Sequence, residues 1–171
     1  ALASYLALEH CPGGTIVTDS VTSSGLTEYI EKTLGGKHRR FKRGYRNVIN
    51  EAIHLNREGT DCPLAIETSG HAAMRENYFL DDGAYLVAKI IILLARLRAQ
   101  GKTIADLLAP LREPAEAVEL RFPILEKEFR PYGESVLSGL ETYARRQPGW
   151  SVAPDNCEGV RVSLDGKHGA G

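Results

Sequence analysis

The stretch LAIETSGHAAMRENYFLDDGAYLVAKIIILLARL, residues 64–97, decides the fold. It opens on a short apolar run, 64–67, that reads as a strand. Ser69-Gly70 supplies the residues of a tight turn, and 72–79 follows as a second strand. Strands joined by so short a connection run antiparallel, so the later one belongs at a sheet edge. Asp81-Asp82-Gly83 is helix-capping chemistry and opens a long helix to about Gln100, stopped by Gly101. Asp82, Lys89 and Arg96 recur every seven residues. That spacing predicts one narrow wet stripe on an otherwise buried helix. Lys89 and Arg96 also interrupt the most apolar run of the chain, 84–97, which falls short of the roughly 20 apolar residues a membrane span needs. The expectation is a buried helix of a soluble protein.

Upstream of this stretch, strand-like and helix-like segments alternate. Residues 3–9 read as the end of a helix closed by Cys11-Pro12-Gly13-Gly14, and 15–19 (TIVTD) is a β-branched strand. Ser23-Ser24-Gly25-Leu26 with Glu28 caps a helix through Leu34, with Leu26, Tyr29, Ile30 and Leu34 on one face. Residues 37–43 form a second strand and 46–57 a helix with Val48, Ile49, Ala52 and Ile53 inward. Strand–helix–strand–helix–strand implies right-handed crossovers and a parallel core. The predicted fold is therefore α/β: a three-layer α/β/α domain whose mixed four-stranded sheet has three parallel strands and an antiparallel edge strand.

Downstream, 104–108 makes one more short helix, and the character changes after Pro110. Residues 112–116 form a charged, proline-bearing hinge. Residues 118–124 alternate as a strand, 135–146 form an amphipathic helix, and 152–154 and 160–163 are short strands. The division predicts a domain over 1–111 followed by an incomplete α+β C-terminal unit over 115–171. The chain starts inside a helix-like segment without methionine and stops at Gly169-Ala170-Gly171, which predicts a fragment of something longer.

Across 171 residues, 21 basic and 22 acidic side chains leave a formal net charge of −1. That balance argues against a dedicated nucleic-acid binder and a disordered chain. Residues 1–10 are apolar but carry Glu9 and no basic leader. Cys11, Cys62 and Cys157 are odd in number and widely spaced, with neither a disulfide framework nor zinc spacing, so a cytoplasmic location is expected.

In an open α/β sheet, ligands sit beyond the carboxyl ends of the strands. Three loops lie there. Asp19-Ser20-Val21-Thr22-Ser23 is rich in hydroxyls. Lys42-Arg43-Gly44-Tyr45-Arg46 is cationic, with a glycine. Glu67-Thr68-Ser69-Gly70-His71 places a carboxylate, a hydroxyl and an imidazole within five residues. Such a set suits a polyhydroxylated, anionic ligand. A plain strand-to-strand turn and a Ser–His–Glu hydrolase are alternatives, although no GxSxG elbow surrounds Ser69. The basic run 37–43 reads either as a nucleic-acid patch or, for 37–40, as an edge strand protected by charge, with Lys42, Arg43 and Arg46 at the ligand end. His10, His38, His54 and His168 lack metal-ligand spacing and read as structural or surface residues. Asp81-Asp82 reads as a helix cap in preference to a metal pair.

Residues 67–85, ETSGHAAMRENYFLDDGAY, resemble the sugar-binding loop and following strand–helix of the α-D-phosphohexomutases, the phosphoglucomutases and phosphomannomutases. The family pattern is GE-x-SGH, then a strand containing phenylalanine or tyrosine, then DDG. Glu67, Ser69, Gly70, His71, Asp81, Asp82 and Gly83 match it. Ile16-Val17-Thr18-Asp19, Lys42-x-Gly44 and Gly159-Val160-Arg161-Val162 follow in family order. Departures stand at Ile66, Thr68, Tyr45 and Val21.

The resemblance implies a four-domain isomerase, an intramolecular phosphotransferase of carbohydrate metabolism. It interconverts hexose 1-phosphate and hexose 6-phosphate through a bisphosphate. A phosphoserine and a Mg2+ loop on other domains carry the chemistry. This chain corresponds to the third domain plus the start of the fourth, cut before the latter's phosphate loop, and by itself is expected to be inactive. Glu67, Ser69, Gly70, His71, Lys42, Arg43 and Tyr45 are the implied substrate-binding residues for a mannose or glucose phosphate. The expected partners are that ligand and the other domains of the parent chain, with no nucleic acid and no membrane. A non-catalytic phosphosugar-binding module is one alternative. A basic nucleic-acid-binding α/β protein is another.

Overall fold

The computed structural model describes residues 1–114, 116–154 and 156–164; His168 and the chain end lie outside them. The chain divides into two compact units, one up to Ala115 and one from Glu116.

In the first unit, α1 (Leu2–His10) leads into β1 (Thr15–Asp19). Next comes α2 (Ser24–Glu28), where Ser23 Oγ accepts from the Leu26 amide, and a π-helical turn over Tyr29–Thr33 extends it. Then follow β2 (Lys37–Phe41), α3 (Tyr45–Arg57), β3 (Leu64–Ile66), β4 (Ala72–Met74), α4 (Gly83–Ala99) and α5 (Ile104–Leu108). The sheet order is β2-β1-β3-β4. β1 pairs in parallel with β2 (Thr15 opposite Lys37) and with β3 (Ile16 opposite Leu64), whereas β3 and β4 are antiparallel (Leu64 opposite Met74). This is the predicted mixed sheet.

Alternation along the central strand sorts its side chains between two layers. Ile16, with Leu64 and Met74, packs under α1, Ile30 and the Leu93–Leu97 stripe of α4. Val17 and Ala65 pack against Val48 and Ala52 of α3 on the other face. Ile16 and Val17 are both 0% exposed. The basic edge strand is held by its own charges. Arg39 pairs with Glu51 of α3 at 3.1 Å, and Arg40 donates to the Thr22 and Ser23 carbonyls. His38 bridges the hydroxyls of Thr18 and Thr27.

Several expectations need correction. The strand expected over 72–79 stops at Met74 and turns through a 3-10 segment, Arg75–Asn77. Its last rung is the Arg75 amide on the Pro63 carbonyl, and a proline has no amide hydrogen with which to continue a ladder. Tyr78 and Phe79 then take positive φ of 55° and 56°. α4 is not buried all round. Leu86, Ile90, Leu93 and Leu97 form its packed stripe, while Val87, Ile91 and Ile92 are 55%, 59% and 60% exposed. Lys89 and Arg96 border the packed stripe, where they pair with Glu76 and with Glu9. No described helix is long and apolar enough to cross a membrane.

The second unit holds α6 (Phe129–Ala144) and an antiparallel pair, β5 (Trp150–Val152) with β6 (Val162–Leu164). α6 starts six residues before the expected 135 because Pro131 sits in its first turn, where the missing amide hydrogen is not needed. The strand expected over 118–124 is absent: those residues pair with no described strand, and Val118, Leu120 and Phe122 stand exposed.

Candidate functional site

The three parallel strands end on the same side, and the loops that follow them are joined by a few directional bonds. Asp19, the last residue of β1, is 1% exposed. Its Oδ1 accepts from Thr22 Oγ1 at 2.9 Å, and its Oδ2 accepts from the amide and hydroxyl of Thr68 at 3.0 and 2.6 Å. The first and third loops are thus tied through one carboxylate.

The third loop is a closed turn. The Glu67 amide donates to the His71 carbonyl at 2.9 Å and the Gly70 amide to the Glu67 carbonyl at 3.0 Å. Gly70 makes the corner at φ +97°, a region open to glycine. Gly44 of the second loop, at φ +108°, donates its amide to Glu67 Oε1 at 2.6 Å. Ser69 Oγ reaches Glu67 Oε2 at 3.4 Å. Glu67 is half-buried, whereas Ser69, Gly70 and His71 are exposed.

His71 is oriented from two sides. Its Nδ1 lies 2.7 Å from Asp81 Oδ2. A carboxylate only accepts, so Nδ1 carries hydrogen and Nε2 is left for a ligand. Its ring stacks on Tyr45 with centroids 5.2 Å apart and planes at 28°. The Arg46 guanidinium lies over the opposite ring, 5.8 Å from the Tyr45 centroid.

Five of the seven predicted residues, Glu67, Ser69, Gly70, His71 and Tyr45, therefore come together, and Lys42 and Arg43 are exposed on the Gly44 loop. Sequence reasoning misses three contributors. Asp19 has the pattern of a strand end, although Thr22 three residues on is a signal for a bonded carboxylate. Thr68 carries no pattern of its own. Asp81 pairs with Asp82 as capping chemistry, yet only Asp82 caps α4, accepting from the Tyr85 amide at 3.0 Å; Asp81 holds His71 and the Ala72 amide.

Among the described residues, no group of three or more His, Cys, Asp or Glu side chains is placed to hold a metal. Among the described residues, Cys11, Cys62 and Cys157 form no disulfide. A pocket of about 210 Å³ lined by His10, Cys11, Pro63 and Arg75 opens at the amino ends of the strands, away from these loops. Chemically, the loops offer a carboxylate acceptor, a hydroxyl, an oriented imidazole nitrogen and nearby cations.

The family model for phosphoglucomutase/phosphomannomutase, alpha/beta/alpha domain III, matches residues 1–114. Among solved structures, a phosphoglucomutase/phosphomannomutase family protein from Burkholderia thailandensis is similar over 96% of this chain and 31% of its own, at 25% identity and a TM-score of 0.71. A candidate phosphomannomutase from Thermus thermophilus shares the fold over 95% of this chain and 32% of its own, at 19% identity and a TM-score of 0.52. The chain thus spans about a third of the length of the solved proteins it matches. No curated protein matches it.

Proposed function

The chain belongs to the phosphoglucomutase/phosphomannomutase family through its α/β/α domain III, and on that premise we propose that its third loop grips the sugar of a hexose phosphate. The site would work within a longer enzyme that moves a phosphoryl group between O1 and O6 through a bisphosphate. The observation that carries this reading is Glu67. Its carboxylate is fixed at the end of β3 by the Gly44 amide, with Ser69 beside it, and it keeps lone pairs for two vicinal hydroxyls. Ser69 contributes a second polar contact and Gly70 lets the backbone close beneath the ligand. His71 Nε2, Lys42 and Arg43 face the phosphate or its neighbouring oxygens, while Tyr45 walls the imidazole.

A magnesium ion does not fit these residues, because Asp81 is bonded to His71 and Asp82 caps α4. The metal and the phosphorylated serine belong to other domains in this reading, so residues 1–171 alone would not turn over hexose phosphates. Residues 115–171 would begin the C-terminal domain, and the enzyme would work in the cytoplasm. Neither nucleic acid nor membrane is a partner in this reading.

The test is the specificity constant of the full-length enzyme on glucose 1-phosphate and mannose 1-phosphate, with the melting temperature, for wild type, Glu67→Ala and Glu67→Gln. Each charge-assisted bond to a sugar hydroxyl is worth about 1.5–3 kcal/mol. Alanine should therefore cost roughly 10- to 100-fold, and glutamine, which keeps one acceptor, should fall between. An unchanged specificity constant in both variants would remove the sugar-site assignment. A loss that only follows the amount of folded protein would make Glu67 structural.

A further inference from the structure

We propose that Asp19 is a positioning residue of the sugar site: it sets the direction of Glu67 and Ser69 without touching the ligand. The inference rests on the functional reading above and deepens it. The ladder between β1 and β3 ends at Thr18 opposite Ile66. From Glu67 onward the third loop has left the sheet, and no further rung of that ladder fixes it.

The Asp19 carboxylate takes over where the ladder stops. Oδ2 captures both the amide and the hydroxyl of Thr68, one residue beyond Glu67. Glu67 is thereby held between a rung at Ile66 and a clamp at Thr68, and its side chain is pulled onto the Gly44 amide. Oδ1 takes the Thr22 hydroxyl, so the same carboxylate also fixes the first loop. At 1% exposure Asp19 reaches no ligand. It acts through Thr68.

Three variants of the full-length enzyme test this. Asp19→Asn keeps the shape but removes the charge, so the charge-assisted bonds that hold the Thr68 amide and hydroxyl become weaker neutral ones. Thr68→Val deletes only the hydroxyl, and Thr68→Ser restores it. A core variant on α4, Leu93→Ala, lowers stability away from the loops and serves as the comparison.

Asp19→Asn and Thr68→Val should raise KM for the hexose phosphate by roughly tenfold, the change that about 1.4 kcal/mol produces. Thr68→Ser should return it to near the wild-type value, and Leu93→Ala should lower the melting temperature with KM unchanged. If Asp19→Asn fails to fold, the Thr68→Val and Thr68→Ser pair decides, because Thr68 lies on the exposed loop. An unchanged KM in Thr68→Val, with Glu67→Ala impaired, overturns the positioning role and leaves the sugar site standing. An unchanged specificity constant in Glu67→Ala overturns both.

Discussion

Asp19 and Glu67 are both carboxylates at the carboxyl edge of the sheet, and they differ in how much of each the fold has committed. A carboxylate offers about four lone-pair directions. Asp19 gives three of them to Thr22 and Thr68, whereas Glu67 holds one short bond and one long one and stays half-buried. Burial acts on Cys62 in another way. Its thiol is 0% exposed, donates to the Leu64 carbonyl at 3.7 Å, and is pushed by burial from 9.0 up to about 12. The folded chain keeps this thiol neutral where the unfolded chain would ionise it. Its contribution to stability is therefore intact below about pH 9 and is lost as pH rises toward about 12, by at most roughly 1.4 kcal/mol per pH unit. Urea unfolding of wild type and Cys62→Ala at about pH 8 and about pH 10.5 should show the larger alkaline loss in wild type. Equal losses would mean that the thiol does not titrate on unfolding. The chemistry of residues 67–71 was legible because strand order alone puts that loop at the ligand end. The partner of His71 was not, because it depends on the bridge that sets Asp81 opposite Ala73, a contact no local pattern announces.

α4 shows where hydrophobic pattern stops being informative. Its existence, cap and end were all readable from Asp82, the apolar run and Gly101. Its buried face was not, because nearly every position between Tyr85 and Leu97 is apolar and a 3.6-residue period needs polar positions to appear. Lys89 and Arg96 were the only polar marks. They pointed the wrong way because long cationic side chains can border a packed face while their heads pair at its rim, here with Glu76 and Glu9. The same limit applies to 118–124. Alternation at Val118, Leu120, Phe122 and Ile124 states which side chains share a face, but a strand also needs a neighbour to receive its amides. On α4 the structure separates two leucine-like positions sharply. Leu93 is in the core and Ile91 is exposed. Leu93→Ala should cost roughly 2–5 kcal/mol, and Ile91→Ala should stay within about 0.5 kcal/mol, both read from denaturant midpoints. If Ile91→Ala proves as costly as Leu93→Ala, the outer face of the helix is covered in solution.

The two units differ in how their apolar surface is used, and that difference governs their resistance to opening. The first has a core on each face of its sheet, anchored on Ile16 and Val17. In the second, Ala144 is the one buried side chain among the described residues, while Phe122 and Leu125 are 81% and 92% exposed. Protection against exchange follows buried contact and enclosed hydrogen bonds, so the slowest amides should be those of β1 and its neighbours on β2 and β3. The amides of α6 and the β5–β6 pair should exchange by local opening at far lower protection. A chain ending at Pro114 should accordingly melt at nearly the same temperature as residues 1–171, because the first unit carries its own core on each face of its sheet. Hydrogen exchange followed by mass spectrometry and a melting curve of the shortened chain check both statements. Comparable protection in α6 and β1 would mean that the apolar faces of the second unit are covered in solution by another surface. A large fall in melting temperature on truncation would mean that the first unit draws stability from residues after 114, and its two-faced core would then be an incomplete account of what holds it.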